Sequence, residues 1–141
     1  MTVDELLTTT RSVRKRLDFS RPVSAEAIEE CLQIAVQAPT GSNLQSWHFL
    51  VLTEEEPRRL VADAYRRAFR TYATTIVPQF PGFEPEDPRS QQRDRVNESA
   101  VYLCENMHRA PVLVLPCMQG RPEGSPLFVQ AALWGSILPA A

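Results

Sequence analysis

The stretch Ala38-Pro39-Thr40-Gly41-Ser42-Asn43-Leu44-Gln45-Ser46-Trp47 constrains this chain more than any other. A helix cannot run through Pro39, which has no N–H to donate and pushes the residue before it toward extended backbone. A Gly-centred turn follows, and Trp47-His48-Phe49-Leu50-Val51-Leu52 then reads as a strand. Small residues in such a turn let the backbone approach a flat ligand closely. Ser42, Asn43 and Gln45 add side chains that hydrogen-bond, and the amides carry both donor and acceptor, which suits the mixed edge of a heteroaromatic ring. An ordinary helix-to-strand connection has the same composition.

A second cluster lies upstream. Thr10-Arg11-Ser12-Val13-Arg14-Lys15-Arg16 packs four cations and two hydroxyls into seven residues. Arginine offers a planar fork of donors matched to phosphate oxygens, and Ser12 adds a short hydroxyl donor. This is the chemistry of a phosphate monoester site, and it is also the composition of a solvated basic face.

Taken together and in this order, the two clusters resemble the nitroreductase family of FMN-dependent oxidoreductases. The resemblance implies an α+β fold, with helices around a central, mostly antiparallel sheet in three layers. It implies that Arg11, Ser12 and Arg14 bind the FMN phosphate and ribityl chain. Pro39, Thr40, Gly41, Ser42, Asn43 and Gln45 would border the isoalloxazine of an FMN held mainly by the other subunit of a homodimer. It further implies NAD(P)H as cosubstrate, a ping-pong cycle and a small organic acceptor such as a nitroaromatic or quinone. No side chain is assigned as catalytic acid or nucleophile, since hydride chemistry belongs to the flavin. Thr10 stands where many members carry another basic residue, and Ser46 stands where proline is common.

Members of the family usually run to about two hundred residues, whereas this chain stops at Ala141, inside what reads as a helix. The expectation is therefore a single nitroreductase-like domain over residues 1–141 that is incomplete at its C-terminal end. The absent part would hold a Gly-Leu-Gly-type turn, a further basic phosphate ligand and a strand exchanged with the partner, so residues 1–141 by themselves are expected to be inactive. The alternative function is a flavin-binding or structural remnant without turnover.

Composition bounds the remaining classes. A chain of 141 residues forms one domain that buries about 70% of its unfolded surface. A net charge of −2 gives no bulk attraction to nucleic acid or membrane. No apolar run approaches the ~20 residues that span a bilayer, and the N-terminus is no signal peptide, so a cytoplasmic protein is expected. Cys31, Cys104 and Cys117 lack paired spacing and read as small core residues kept reduced. His48 and His108 lack ligand spacing, and no metal site is expected.

Along the chain, Thr2 and Glu5 make a capping box for a helix ending near Thr9. Phe19 to Val23 is expected to be extended. Ser24 caps a second helix with Ala27, Ile28, Cys31, Leu32, Ile34 and Ala35 on its apolar side. The Trp47 strand is apolar on both faces, as for a strand covered on both sides. Pro57 opens a third helix with Leu60, Val61, Ala64, Tyr65 and Ala68 inside and its arginines outside. Pro78, Pro81, Pro85 and Pro88 mark an irregular excursion whose Phe80 and Phe83 either cover a ligand or pack a surface loop. A helix from about Arg89 and a strand over Val112–Leu115 follow. A last helix runs from Ser125-Pro126 through Trp134.

Overall fold

The computed structural model describes residues 2–118. The chain divides into two compact units, one made of Met1–Ser20 with Glu55–Ala110, the other of Arg21–Glu54 with the chain from Pro111. The loop from Gln119, the helix expected from Ser125 and the chain end lie outside the described residues.

In the first unit, α1 (Val3–Thr9) begins at the expected capping box. Thr2 Oγ1 accepts from the Glu5 amide at 3.1 Å, and the Thr2 amide donates to Glu5 Oε2 at 2.7 Å. At its other end Arg11 Nη1 donates to the Thr8 and Thr10 carbonyls at 3.1 and 2.7 Å, satisfying acceptors that a helix terminus leaves open.

Helix α3 (Glu55–Thr75) packs against α4 (Pro88–Asn106). Among the described residues the fully buried side chains are Ala62 on α3 and Cys104 on α4, both small. The inner stripe of α3 differs from the expected one. Leu60, Ala64 and Ala68 are exposed, while Arg58, Val61, Ala62, Tyr65, Arg66 and Phe69 are buried or half-buried. The arginines decide this register. Arg58 donates to the Ala110 carbonyl and Arg66 pairs with Asp63 and Glu105, so their charged heads have partners while their stems cover apolar surface.

The excursion after α3 contains a single 3-10 turn at Val77–Gln79 and runs irregularly to Asp87. Asp87 caps α4 by accepting from the Arg89 amide at 2.8 Å, which starts the helix at Pro88. The basic N-terminal segment is held along α4: Lys15 meets Glu98 at 3.0 Å, and Phe19 stacks on Tyr102 with centroids 6.4 Å apart. Phe19 and Ser20 form a turn rather than extended chain, because Asp18 Oδ1 accepts from both the amide and the hydroxyl of Ser20.

In the second unit, Ser24 Oγ accepts from the Ala27 amide at 3.2 Å and starts α2 (Ala25–Ala35). Its inner side is narrower than expected. Ile28, Leu32 and Ala35 are half-buried, whereas Ala27, Cys31 and Ile34 are exposed. Strand β1 (Trp47–Leu52) pairs antiparallel with β2 (Leu113–Met118), Trp47 opposite Met118 and Leu52 opposite Leu113. Strand β2 extends beyond the apolar run through Pro116, which contributes no N–H to the ladder. Side chains of β1 alternate between half-buried and exposed over Trp47–Leu50, and Leu50 is 52% exposed, so among the described residues β1 is not covered on both faces. Cys31 and Cys117 are exposed and only Cys104 is a core residue, a correction to the reading of all three as interior.

Candidate functional site

The turn after α2 is built from Thr40. Its carbonyl accepts from the Asn43 amide at 3.0 Å, and its hydroxyl accepts from the Gln45 amide at 3.1 Å. These two bonds hold Ser42, Asn43 and Gln45 at φ of 52°, 53° and 45°, the left-handed region that side chains disfavour. Three non-glycine residues there are a local strain of the kind that persists where ligands are held. Gln45 Nε2 donates to Asn43 Oδ1 at 2.9 Å. That bond orients both amides and leaves the Asn43 amide nitrogen and the Gln45 amide oxygen unbonded among the described residues. The side chains of Ser42, Asn43 and Gln45 are exposed, as is Pro39, and Thr40 is half-buried.

Arg11, Ser12 and Arg14 share one segment of the first unit, whereas Pro39, Thr40, Gly41, Ser42, Asn43 and Gln45 share one turn of the second. Arg11 is exposed and lends one nitrogen to the end of α1. Ser12 makes no side-chain hydrogen bond among the described residues. Arg14 is half-buried, and its hydrogen bond among the described residues is to Ser99 Oγ on α4, at a marginal 3.5 Å. No carboxylate pairs with it among the described residues.

Within the first unit, α3, α4 and the segment joining them enclose a cleft of about 1210 Å³ that Arg14 helps to line. Tyr65, Phe69 and Tyr72 face it from α3, and Arg93 and Asn97 from α4. Phe80 and Phe83 line it from the excursion. Burial pushes the Tyr65 phenol up from its ordinary range; the nearby Cys104 adds to this and Arg14 opposes it. Sequence reasoning singled out Phe80 and Phe83 but missed the helix residues. Their signal was the spacing of Tyr65, Phe69 and Tyr72, four and three apart on one helix side, facing Arg93 and Asn97, four apart on another. Among the described residues no three His, Cys, Asp or Glu side chains gather as a metal set. None of the described helices is long and apolar enough to cross a membrane.

The profile of the nitroreductase family matches residues 7–133, a span that contains both clusters. This chain belongs to the nitroreductase family. A nitrobenzene nitroreductase of Ectopseudomonas oleovorans is 35% identical over 81 residues, covering 57% of this chain and 34% of that protein. The iodotyrosine deiodinase of Drosophila melanogaster is 30% identical over 112 residues, covering 79% of this chain and 35% of the relative. The chain thus spans about a third of the length of these curated relatives.

Among solved structures, an iodotyrosine deiodinase bound to FMN and 3-iodo-L-tyrosine superposes with a TM-score of 0.61 at 18% identity, covering 95% of this chain and 64% of the other. An FMN-dependent nitroreductase from Mycobacterium smegmatis in complex with NADPH superposes at 0.56 with 19% identity, covering 97% and 67%. These likenesses show the nitroreductase-like α+β fold expected from the sequence.

Proposed function

We propose that the protein is an FMN-dependent oxidoreductase that uses NAD(P)H to reduce a small organic acceptor, such as a nitroaromatic or quinone. The carrying observation is that the family match, over residues 7–133, spans both Arg11–Arg14 and Pro39–Gln45. The free bonding capacity of these residues fits a flavin mononucleotide. Arg14 has no carboxylate partner and Ser12 no side-chain partner among the described residues, which leaves donors for a phosphate. The amides of Asn43 and Gln45 are exposed on a strained turn and hold each other in one orientation.

Bound FMN supplies the hydride and electron transfer between NAD(P)H and acceptor, in ping-pong order. In this reading Arg11, Ser12 and Arg14 bind the phosphate and ribityl chain. Pro39, Thr40, Gly41 and Ser42 shape the rim against which the ring lies. Asn43 and Gln45 aim hydrogen bonds at the pyrimidine edge, where donors favour the negative charge of the reduced state. No side chain is required as acid or nucleophile. The reading includes a homodimer with FMN at the subunit interface, supported by the apolar side of α1, where Leu7 is 73% exposed. It also includes a cytoplasmic setting in which the three free thiols stay reduced.

Reconstitution of the purified full-length protein with FMN tests this. The expected outcome is a yellow protein that releases FMN, not FAD, on denaturation and oxidises NAD(P)H when an acceptor is added. Absence of bound flavin in excess FMN, or recovery of FAD, overturns the reading. Flavin retained without NAD(P)H oxidation would leave a flavin-binding module and remove the oxidoreductase assignment.

A further inference from the structure

The cleft of the first unit holds a cation, Arg93, that the flavin reading leaves unused. Its lining includes the cations Arg14 and Arg93 and contains no Asp or Glu. Other arginines around it are already engaged. Arg66 and Arg70 meet Glu105, Arg89 is clamped on Asp87, and Arg58 bonds backbone carbonyls. Arg93 has no carboxylate or hydrogen-bond partner among the described residues. Its guanidinium lies over the Phe83 ring, 5.5 Å from the centroid. That contact draws on the charge of the guanidinium and occupies none of the hydrogen-bond partners its N–H donors can take. A half-buried cation with free edge donors is under-solvated, and an anion that accepts two parallel hydrogen bonds compensates it best.

The remaining walls fix the shape of the anion's body. Tyr65, Phe69 and Tyr72 on one side and Phe80 and Phe83 on the other present aromatic rings, which favour a flat aromatic partner. At about 1210 Å³ the space exceeds that of most small-ligand pockets, roughly 300–1,000 Å³, and accommodates at least two fused rings. We propose that this cleft is a binding site for a planar aromatic carboxylate, with Arg93 as the partner of the carboxylate and the Phe80 and Phe83 rings against its body. The site lies within the first unit and uses none of the residues of the Pro39–Gln45 turn. The flavin reading gives Arg14 to a phosphate, so the carboxylate is assigned to Arg93 alone.

The test compares 2-naphthoate with 2-naphthamide, which has the same outline without the charge, by fluorescence titration of the protein without added flavin. We expect naphthoate to bind at least tenfold more tightly. Arg93→Gln should bring naphthoate down to the affinity of naphthamide and leave naphthamide unchanged. Arg95→Gln, an exposed cation of the same helix outside the cleft, should leave both ligands as they are. Phe80→Ala, at a position 57% exposed and outside the buried core, should weaken both ligands alike. Equal affinity for the two ligands, no binding of either, or equal losses in Arg93→Gln and Arg95→Gln would each overturn the proposal. Displacement of naphthoate by stoichiometric FMN would make the cleft the flavin's own seat and would also overturn it. Because flavin uptake is measured separately, a failure here leaves the oxidoreductase reading standing.

Discussion

Arg66 Nε on α3 lies 3.5 Å from Glu105 Oε2 on α4, an ion-pair distance without the alignment of a hydrogen bond. Its Nη1 meets Asp63 at 2.5 Å within α3. Arg66 is therefore a largely buried hub whose strong bond is local and whose bond across the helix pair is weak. Glu105 is half-exposed, and pairs screened by solvent contribute under about 1 kcal/mol. Glu105→Gln should accordingly cost less than that in urea unfolding. Arg66→Ala should cost more, about 1–2 kcal/mol, because it also removes the stem that covers apolar surface. Equal losses would mean that the ion pair, not the stem, joins the helices.

Cys104 is buried while Cys31 and Cys117 are exposed. Burial also pushes the Cys104 thiol up, and Glu105 adds to that, so its thiolate is disfavoured. A thiol reagent at pH 8 should titrate two equivalents rapidly and the third only on unfolding. Cys104→Ala should abolish the slow equivalent and leave the fast ones. Three equally fast thiols would show that the α3–α4 core opens readily.

Much of the local structure was legible. The Thr2–Glu5 box, the Ser24 cap and the Trp47–Leu52 strand each depend on neighbours within a few residues, and each is found where local chemistry puts it. Tertiary partners were the hidden part. Arg58 and Arg66 read as solvent-facing because arginine is charged, yet their heads reach the Ala110 carbonyl and Glu105, far along the chain. The inward rotation of α3 follows from those contacts, and with it the aromatic wall at Tyr65, Phe69 and Tyr72. At the candidate site, the residue types of the Pro39–Gln45 turn were readable. The left-handed backbone at Ser42, Asn43 and Gln45 was not, because it is imposed by bonds to Thr40.

The raised Tyr65 pKa gives a pH dependence with a definite sign. A phenol with a higher pKa folded than unfolded keeps its proton longer in the folded state. Its contribution is complete below the ordinary tyrosine value near 10 and is lost as pH rises through the folded value. Cys104 acts in the same direction from a lower pH, so the comparison must isolate the phenol. Above about pH 10 the unfolding midpoint of wild type should fall more steeply with pH than that of Tyr65→Phe. Parallel profiles would mean that Tyr65 titrates as it does in the unfolded chain.

The phosphate assignment predicts a difference between two flavins. Hydrogen bonds to charged groups contribute about 1.5–3 kcal/mol, so Arg14→Ala should weaken FMN by that amount. Riboflavin lacks the phosphate and should change far less. Equal losses for the two would place Arg14 away from the phosphate, in keeping with a role confined to the cleft it lines.

The strained turn yields the last prediction. Gln45 holds a φ of 45°, a region that costs a side-chain-bearing residue about 1–2 kcal/mol and glycine little. Gln45→Gly keeps the backbone N–H that bonds Thr40 Oγ1 and removes the amide that bonds Asn43. After the loss of that exposed bond and the added freedom of the unfolded chain, the variant should be more stable by about 0.5 kcal/mol. Its FMN affinity should nevertheless fall, by about threefold to tenfold, the value of one neutral hydrogen bond. The opposite signs are the signature of a position where strain serves a ligand rather than the fold. Thermal unfolding of the flavin-free protein and FMN titration of the same sample measure the two effects. A variant less stable and unchanged in FMN affinity would make Gln45 a structural residue of the turn and remove it from the candidate site.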